Sequence, residues 1–184
     1  EKLKADVALV SDTAMYAPGL PTLCVGLRGL VYTEVAVKGA ARDLHSGLYG
    51  GAAPNPVFAL IELLGQAKDA GGRILIPGFY DNVEDPSDVE LESWKSLPFN
   101  EAEFLNKEIG AQALTGESEY SVLERVWSRP TMEVHGIAGG FTGAGAKTVI
   151  PAEATAKVSF RLVPNQDPDK IVASFRNFVA ERTP

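Results

Sequence analysis

Residues 152–163 read AEATAKVSFRLV and form the most regular alternating stretch of the 184-residue chain. Apolar side chains occupy every second position, and polar or charged side chains such as Lys157 and Arg161 stand between them. A period of two is typical of a β-strand that buries one face. The stretch therefore predicts a sheet strand whose polar face carries Arg161.

The same alternation recurs at residues 29–40 and 131–135, which predicts two further strands. Helices are predicted to begin at Asn55-Pro56 and at Asp167-Pro168, because each pair joins a capping side chain to a proline at the first helical position. The first of these helices is expected to end near Gly71-Gly72. The predicted strands and helices therefore alternate along the chain.

The segments between these elements are less regular. Residues 77–98 are acidic and punctuated by Pro and Gly, which predicts a solvated insertion. Short helices are expected from Asn100 to Ile109, where Glu103 completes a cap, and over residues 121–127. The glycine-rich residues 43–51 and 136–146 are expected to be loops.

This order of elements predicts an α+β fold. An antiparallel sheet would carry two helices on one face, as in the ferredoxin-like split βαβ arrangement, with a mostly helical insertion. The last strand of such a unit is missing from the pattern. The apolar run at residues 7–10 predicts a separate buried strand. Since the chain lacks an initiator Met, we expect it to be a segment of a longer protein.

Composition excludes several classes of function. The chain carries 17 Lys and Arg against 24 Asp and Glu, a formal charge of −7, which argues against nucleic-acid binding. No apolar run is long enough to span a membrane. The single cysteine, Cys24, cannot form an internal disulfide; it is expected to be a small buried residue in a protein of a reducing compartment.

Four polar side chains are candidates for chemistry. His45 lies in a polar, glycine-flanked loop, where a functional and a structural role are equally expected. Arg161 could present its five-donor fork to a carboxylate, or it could be a surface cation. Asp12 follows the run at residues 7–10 and could bind a metal or shape a turn. His135 is more typical of a surface or structural residue.

The glycine-rich stretch before Lys147-Thr148 is not a phosphate-binding loop. Ala146 separates Gly145 from Lys147, and Pro151 blocks the helix whose N-terminus would hold the anion. Thr148 could donate its hydroxyl to a ligand or satisfy the backbone.

Several short motifs, taken together, resemble one enzyme family. They are Val10-Ser11-Asp12, Gly26-Leu27-Arg28-Gly29, Asp43-Leu44-His45-Ser46-Gly47, Ser128-Arg129-Pro130-Thr131, His135-Gly136-Ile137, Gly145-Ala146-Lys147-Thr148-Val149-Ile150-Pro151 and Phe160-Arg161-Leu162-Val163-Pro164. In order and spacing they resemble carnosinase-like members of the aminoacylase and carboxypeptidase-G type dinuclear zinc peptidases. The resemblance runs nearly end to end.

The resemblance implies a domain organisation and a place in an enzyme. Residues 1–26 would be the truncated end of the first catalytic-domain segment, and residues 27–184 a lid and dimerisation domain that lacks its last strand. The full-length protein would be a cytoplasmic, homodimeric hydrolase of dipeptides or related N-acyl amino-acid amides. It would carry two zinc ions, with manganese or cobalt as alternatives. This piece alone would bind no metal and be inactive.

The resemblance also implies a role for each site residue. Asp12 would bind one zinc ion, and His45 would reach the partner subunit's active site to polarise the scissile carbonyl, with Thr148 beside it. Arg161 would bind the substrate's terminal carboxylate. The alternative from another class is a non-enzymatic βαβ-type module that binds a small carboxylate or acts in assembly.

Overall fold

A computed structural model describes residues 4–10, 12 and 15–183 of the chain. Its elements follow in chain order: β1 Gly29–Lys38, β2 Leu44–His45, α1 Ser46–Tyr49, α2 Pro56–Gly65, α3 Asp88–Lys95, α4 Glu101–Glu103, a π-helical turn Phe104–Ile109, α5 Val122–Trp127, β3 Thr131–Gly139, β4 Val149–Ile150, β5 Glu153–Leu162 and α6 Pro168–Arg182.

The main sheet has three antiparallel strands in the order β1-β5-β3. β5 is therefore central, and its register aligns Arg161 with Leu30 of β1 and Thr131 of β3. A second, two-stranded sheet pairs β2 with β4 immediately before β5. The predicted α+β class is confirmed. Strands β1 and β5 lie within residues 29–40 and 152–163, the stretches whose alternation predicted them.

Helices α2 and α6 cover one face of the main sheet. Both begin as expected, because the side-chain oxygen of Asn55 accepts from the Val57 N–H and the Asp167 carboxylate accepts from the Asp169 N–H. Their apolar stripes close the core against the alternating residues of β1 and β5. Its most deeply buried large side chains are Phe79, Phe160, Phe178, Leu60, Leu63 and Leu162.

The opposite side of this sheet, called the outer face below, carries no helix among the described residues. Its side chains are those that alternate with the core residues: Leu30, Tyr32, Glu34, Ala36 and Lys38 of β1, Thr131 and Glu133 of β3, and Thr155, Lys157, Ser159 and Arg161 of β5. The polar face of the predicted strand is thus the open face of the sheet.

Helix α2 ends at Gly65, several residues before the predicted stop. After Gly65 the chain makes a tighter turn, in which the Gln66 N–H donates to the Leu63 carbonyl. It then reverses direction, so that Lys68 pairs with Ile74. Gly72 lies inside this reversal with a φ of 86°, a left-handed conformation that glycine adopts without strain. The glycine pair therefore forms a hairpin turn and does not cap the helix.

The insertion is less solvated than its composition indicated. Phe79 is only 1% exposed and packs against Phe160 with ring centroids 5.7 Å apart. Helix α3 lies within residues 77–98 and was not predicted, although Ser87 and Glu90 form a capping box before it. The helices expected after Asn100 and Ser121 are confirmed.

Both predicted glycine loops contain regular structure. Residues 43–51 include β2 and the single turn α1, and β3 continues to Gly139 beyond its expected end at His135. The strand passes His135 through a β-bulge, because Val134 pairs with Val158 while Gly136 pairs with Lys157. One extra residue is thereby accommodated without ending the strand.

The segment before β1 departs from its prediction. Val7 and Leu9 are 84% and 93% exposed, and residues 7–10 form no strand. The apolar run is not buried because no element of the described chain packs against it. Cys24, expected to be buried, is also exposed. No helix among the described residues has the length and apolar character needed to cross a membrane.

Candidate functional site

The loop around His45 is held against the chain that leads into β5. The Asp43 carboxylate accepts a hydrogen bond of 2.9 Å from the Ala152 N–H, and the Ser46 N–H donates to the Thr148 carbonyl at 3.0 Å. Between these contacts, β2 and β4 align His45 with Val149. His45 and Thr148 are therefore neighbours although 103 positions separate them in sequence.

Two hydrogen bonds define the state of the His45 imidazole. Its Nδ1 accepts from the Gly47 N–H at 3.0 Å, and its Nε2 lies 3.0 Å from Thr148 Oγ1. A ring nitrogen that accepts from a backbone N–H carries no proton, so the neutral ring must carry its proton on Nε2. The exposed His45 side chain thus presents an N–H donor beside a hydroxyl group.

Glycine is required where this ring crosses the backbone. A Cβ atom at Gly47 would lie 2.9 Å from His45 Cε1 and 3.1 Å from Nδ1, closer than carbon atoms normally approach. Any other residue at position 47 would push the imidazole away from its backbone donor. The glycine that follows His45-Ser46 therefore sets the orientation of the ring.

Arg161 lies at the far end of the outer face. At about 3.3 Å per residue, β5 separates Glu153, beside the His45 loop, from Arg161 by roughly 26 Å. The structure therefore brings His45 together with Thr148 but does not bring either of them to Arg161 within one chain. The two candidate groups therefore lie near opposite ends of β5.

The surroundings of Arg161 are electropositive. Burial lowers the pKa of the neighbouring Arg28, and the like charge of Arg161 lowers it further, while Glu133 acts in the opposite direction. Arg28 donates instead to the Arg129 carbonyl at 3.4 Å. Among the described residues, Arg161 forms no ion pair with a carboxylate, so its exposed guanidinium is available to an anionic ligand.

Asp12 stands apart from the other candidates. It is exposed, and no group of three or more His, Cys, Asp or Glu side chains within residues 4–10, 12 and 15–183 could hold a metal ion. A zinc site normally takes three or four protein ligands. Of the ligands that a zinc ion needs, the described residues could therefore supply one carboxylate, that of Asp12.

A buried ion pair close to Arg161 had no direct signal in the amino-acid sequence. Arg129 Nε donates to the Glu117 carboxylate at 2.8 Å, and both side chains are only 6% exposed. The guanidinium also lies over the Tyr120 ring at 4.1 Å and reaches Asp85 at 3.4 Å. Burial is the largest single influence on the pKa of Arg129 and lowers it, but the hydrogen bond that Arg129 donates to Glu117, the charge of Glu117 and the nearby Tyr120 and Tyr80 together raise it. This cluster ties the insertion to the start of β3.

Comparison with known proteins identifies the domain. A family described as "Peptidase dimerisation domain" matches residues 25–184. The chain belongs to this family. Two curated relatives are the Cys-Gly metallodipeptidase DUG1 of Candida albicans, 39% identical over 168 residues, and the human Beta-Ala-His dipeptidase, 35% identical over 162 residues. These two alignments cover 91% and 88% of the 184-residue chain.

Solved structures share the fold of this dimerisation domain. The M20 family metallo-carboxypeptidase Sso-CP2 from Sulfolobus solfataricus has a TM-score of 0.85 and 35% identity over 98% of the chain. Human carnosine dipeptidase 1 has a TM-score of 0.77 and 32% identity over 84% of it. The chain spans about a third of the two curated relatives, 34% and 32% of their lengths. It is thus a domain related to part of larger peptidases.

Proposed function

We propose that the full-length protein is a homodimeric, zinc-dependent dipeptidase and that this domain is its lid. In this proposal His45 of one subunit stabilises the reacting carbonyl oxygen in the active site of the other subunit, with Thr148 beside it. Arg161 binds the substrate's C-terminal carboxylate in its own subunit's active site. The relatives described as dipeptidases support the substrate class.

The hydrogen bonds of His45 are the observation that carries the proposal. When an amide is attacked, negative charge develops on its carbonyl oxygen, and a preorganised N–H donor stabilises that charge. His45 offers such a donor because the Gly47 N–H occupies Nδ1 and leaves the proton on Nε2. That proton is directed at Thr148 Oγ1, 3.0 Å away, and the substrate's carbonyl oxygen would replace this hydroxyl as its acceptor.

The distance between the two ends of the sheet supports contributions from two subunits. A dipeptide extends over roughly 7 Å, since an extended chain spans at most about 3.6 Å per residue. It cannot contact His45 and Arg161 of one chain across roughly 26 Å of strand. A two-fold axis can bring the His45 end of one subunit to the Arg161 end of its partner.

An apolar surface beside α2 supports a second copy of the chain as the partner. Phe58 and Ile61 are 64% and 52% exposed on α2, and Val134 and Ile137 are 42% and 53% exposed on β3. Gly139 of β3 approaches the Val57 side chain, which brings the helix next to this strand. β3 is an edge strand with unpaired backbone groups, a common site of association between sheets.

We assign Asp12 as one carboxylate ligand of a zinc ion whose other ligands lie outside residues 4–10, 12 and 15–183. Manganese or cobalt could take the same ligands. The metal ions would supply an activated water for attack on the amide carbon. The residues of this domain would hold the substrate carboxylate and stabilise the developing oxyanion.

The family match over residues 25–184 supports a division of the chain near residue 26. Residues 1–26 would belong to the catalytic domain and residues 27–184 to the lid, whose fourth strand would pair with the open edge of β1. Exposed apolar side chains at residues 7–10 support this division, because they would pack inside the catalytic domain. The exposed single cysteine is in keeping with a cytoplasmic protein.

Subunit complementation tests the proposal. Full-length His45→Ala and Arg161→Ala proteins carry different tags, are co-expressed, and the heterodimer is purified through both tags. On Ala-Ala with zinc, at a substrate concentration below KM, each parent dimer should retain about a tenth of the wild-type activity or less. The heterodimer contains one complete site of two and should recover about half of the wild-type activity.

Two results would contradict this proposal. A heterodimer as inactive as its parents would mean that both side chains act within one subunit. Wild-type activity of the His45→Ala dimer would remove the role given to this histidine. Leu48→Ala is the matched control, because Leu48 is 78% exposed in the same loop and forms no part of the proposed site.

A further inference from the structure

Three polar side chains form a connected group on the outer face next to Arg161. His135 Nε2 and Ser159 Oγ share a hydrogen bond of 2.6 Å, and the rings of Tyr32 and His135 lie 5.8 Å apart at 48°. Ser159 is only 4% exposed although it lies on the open side of the sheet. The group is therefore organised and not a set of independent surface residues.

The β-bulge explains how His135 reaches this position. Residues on either side of it pair with consecutive residues of β5, so His135 is the extra residue of the strand. Bulges redirect side chains and are frequent beside functional sites. Here the redirected imidazole is hydrogen-bonded to Ser159, and the neighbouring Tyr32 is 68% exposed.

These rings border an open depression of about 560 Å³. Its lining residues are Tyr32, Thr33, Glu34, His135 and Lys157. Glu34 and Lys157 are paired across the strands, so their opposite charges largely cancel. The depression therefore favours a ligand by the shape of its side chain more than by its charge.

The depression lies one step along the sheet from Arg161. Ser159 shares its face two residues earlier, roughly 7 Å away, and Tyr32 is aligned with Ser159 as Leu30 is with Arg161. A ligand whose carboxylate is bound by Arg161 can therefore extend its own side chain over the two rings. The proposed substrate has its carboxylate on the C-terminal residue.

We propose that Tyr32 and His135 form the subsite for the side chain of the substrate's C-terminal residue, and that it favours flat, unsaturated side chains. The inference rests on the proposed function, because it takes the carboxylate position from Arg161. Aromatic rings stack on, or meet edge to face with, another flat group and gain contact area that a methyl group does not provide.

The test compares two dipeptides on the full-length, zinc-loaded protein. The ratio of kcat/KM for Ala-Phe to that for Ala-Gly should fall about tenfold in Tyr32→Ala, since one well-packed ring contact is worth about that factor. Tyr32→Phe keeps the ring and should keep the ratio. Thr155→Ala is the control, because Thr155 lies on the outer face beyond the depression. An unaltered ratio in Tyr32→Ala, or an equal fall in Thr155→Ala, would overturn the subsite.

A binding measurement separates this inference from the proposed function. Saturation-transfer NMR with free phenylalanine and free alanine needs no turnover. Wild-type protein should bind phenylalanine more tightly, and Tyr32→Ala should abolish the difference while Tyr32→Phe retains it. If no dipeptide is hydrolysed, the proposed function fails, yet this preference would still support the subsite. Equal binding of both amino acids by the wild-type protein would refute the subsite even in an active dipeptidase.

Discussion

The functional candidates near the two ends of β5 are held in place by different means. At one end, His45 sits on a loop whose position depends on contacts from Asp43, Ser46 and Gly47 to nearby backbone. At the other end, Arg161 projects from a central strand with neighbours on both sides. Changes at the His45 end should therefore alter chemistry without altering stability, whereas changes at the Arg161 end can alter both.

The largest expected effect is on stability at the Arg161 end. Arg129→Leu leaves the buried Glu117 carboxylate with only its 3.3 Å contact to the half-exposed Arg73, and breaking a buried pair in this way typically costs about 3–5 kcal/mol. Urea unfolding of the full-length protein measures the loss, and hydrogen exchange should localise it to residues 117–131. Removing both charges in Glu117→Leu/Arg129→Leu should cost less. Lys107→Ala, which breaks the exposed pair with Glu103, is the control. Unchanged exchange in residues 117–131 would contradict the structural role of the pair.

The next largest effect is a loss of catalysis when only the His45 side chain is removed. His45→Ala should lower kcat for dipeptide hydrolysis by about 100- to 1,000-fold, the usual cost of removing one oxyanion donor. Thermal unfolding and the dimer mass from light scattering should not change, because the His45 side chain is exposed. A protein that loses activity only by dissociating into monomers would count against the electrophilic role.

A smaller effect is expected when Arg161, the side chain proposed to bind the substrate carboxylate, is removed. Arg161→Ala should raise KM and lower kcat/KM by about tenfold to 100-fold, in line with one charge-assisted hydrogen-bonded pair. Dipeptides with a C-terminal amide lack the carboxylate, so wild-type and variant should hydrolyse them at similar rates. If the variant were equally impaired on the amide, Arg161 would be acting through something other than the carboxylate.

The smallest expected effect comes from adding a single methyl group beside the His45 ring. Gly47→Ala introduces a Cβ atom 2.9 Å from the His45 ring and should lower kcat about tenfold by displacing the imidazole. Gly136→Ala is the matched control, because a Cβ there meets no atom within 4 Å. Equal kinetics for the two variants would show that the orientation of His45 does not depend on Gly47.

Much of the fold was predictable because its signals are local. The alternation in β1 and β5 reports burial of one sheet face, and Asn55 and Asp167 mark the starts of α2 and α6. The predicted end of α2 was wrong, because the helix ends where the chain reverses and Lys68 pairs with Ile74 across a turn.

The errors in burial have a different origin. Phe79 belongs to an acidic stretch, so composition indicated solvent exposure, yet its ring fills the core beside Phe160. The run at residues 7–10 gave the opposite error, because an apolar sequence shows a need for neighbours and not where those neighbours are. Burial depends on what packs against a segment, and local sequence does not contain that information.

The site was predictable only through resemblance. No pattern of spacing links His45 to Thr148, since the contact requires β2 to pair with β4 across most of the domain. The bond that sets the His45 proton could not be foreseen, because it depends on the ring lying over the Gly47 backbone. Roles for Asp12, His45, Thr148 and Arg161 remain predictions, each with its own variant or complementation test.

Strand β5 has a consequence for the proposed assembly as a whole. It runs from the neighbourhood of His45 to Arg161, so in the dimer a single rigid element would extend from one active centre to the other. Substrate that draws Arg161 inward would then shift the far end of the same strand. The two centres would then open and close together, and cooperative binding of substrate would be the signature of that mechanical link.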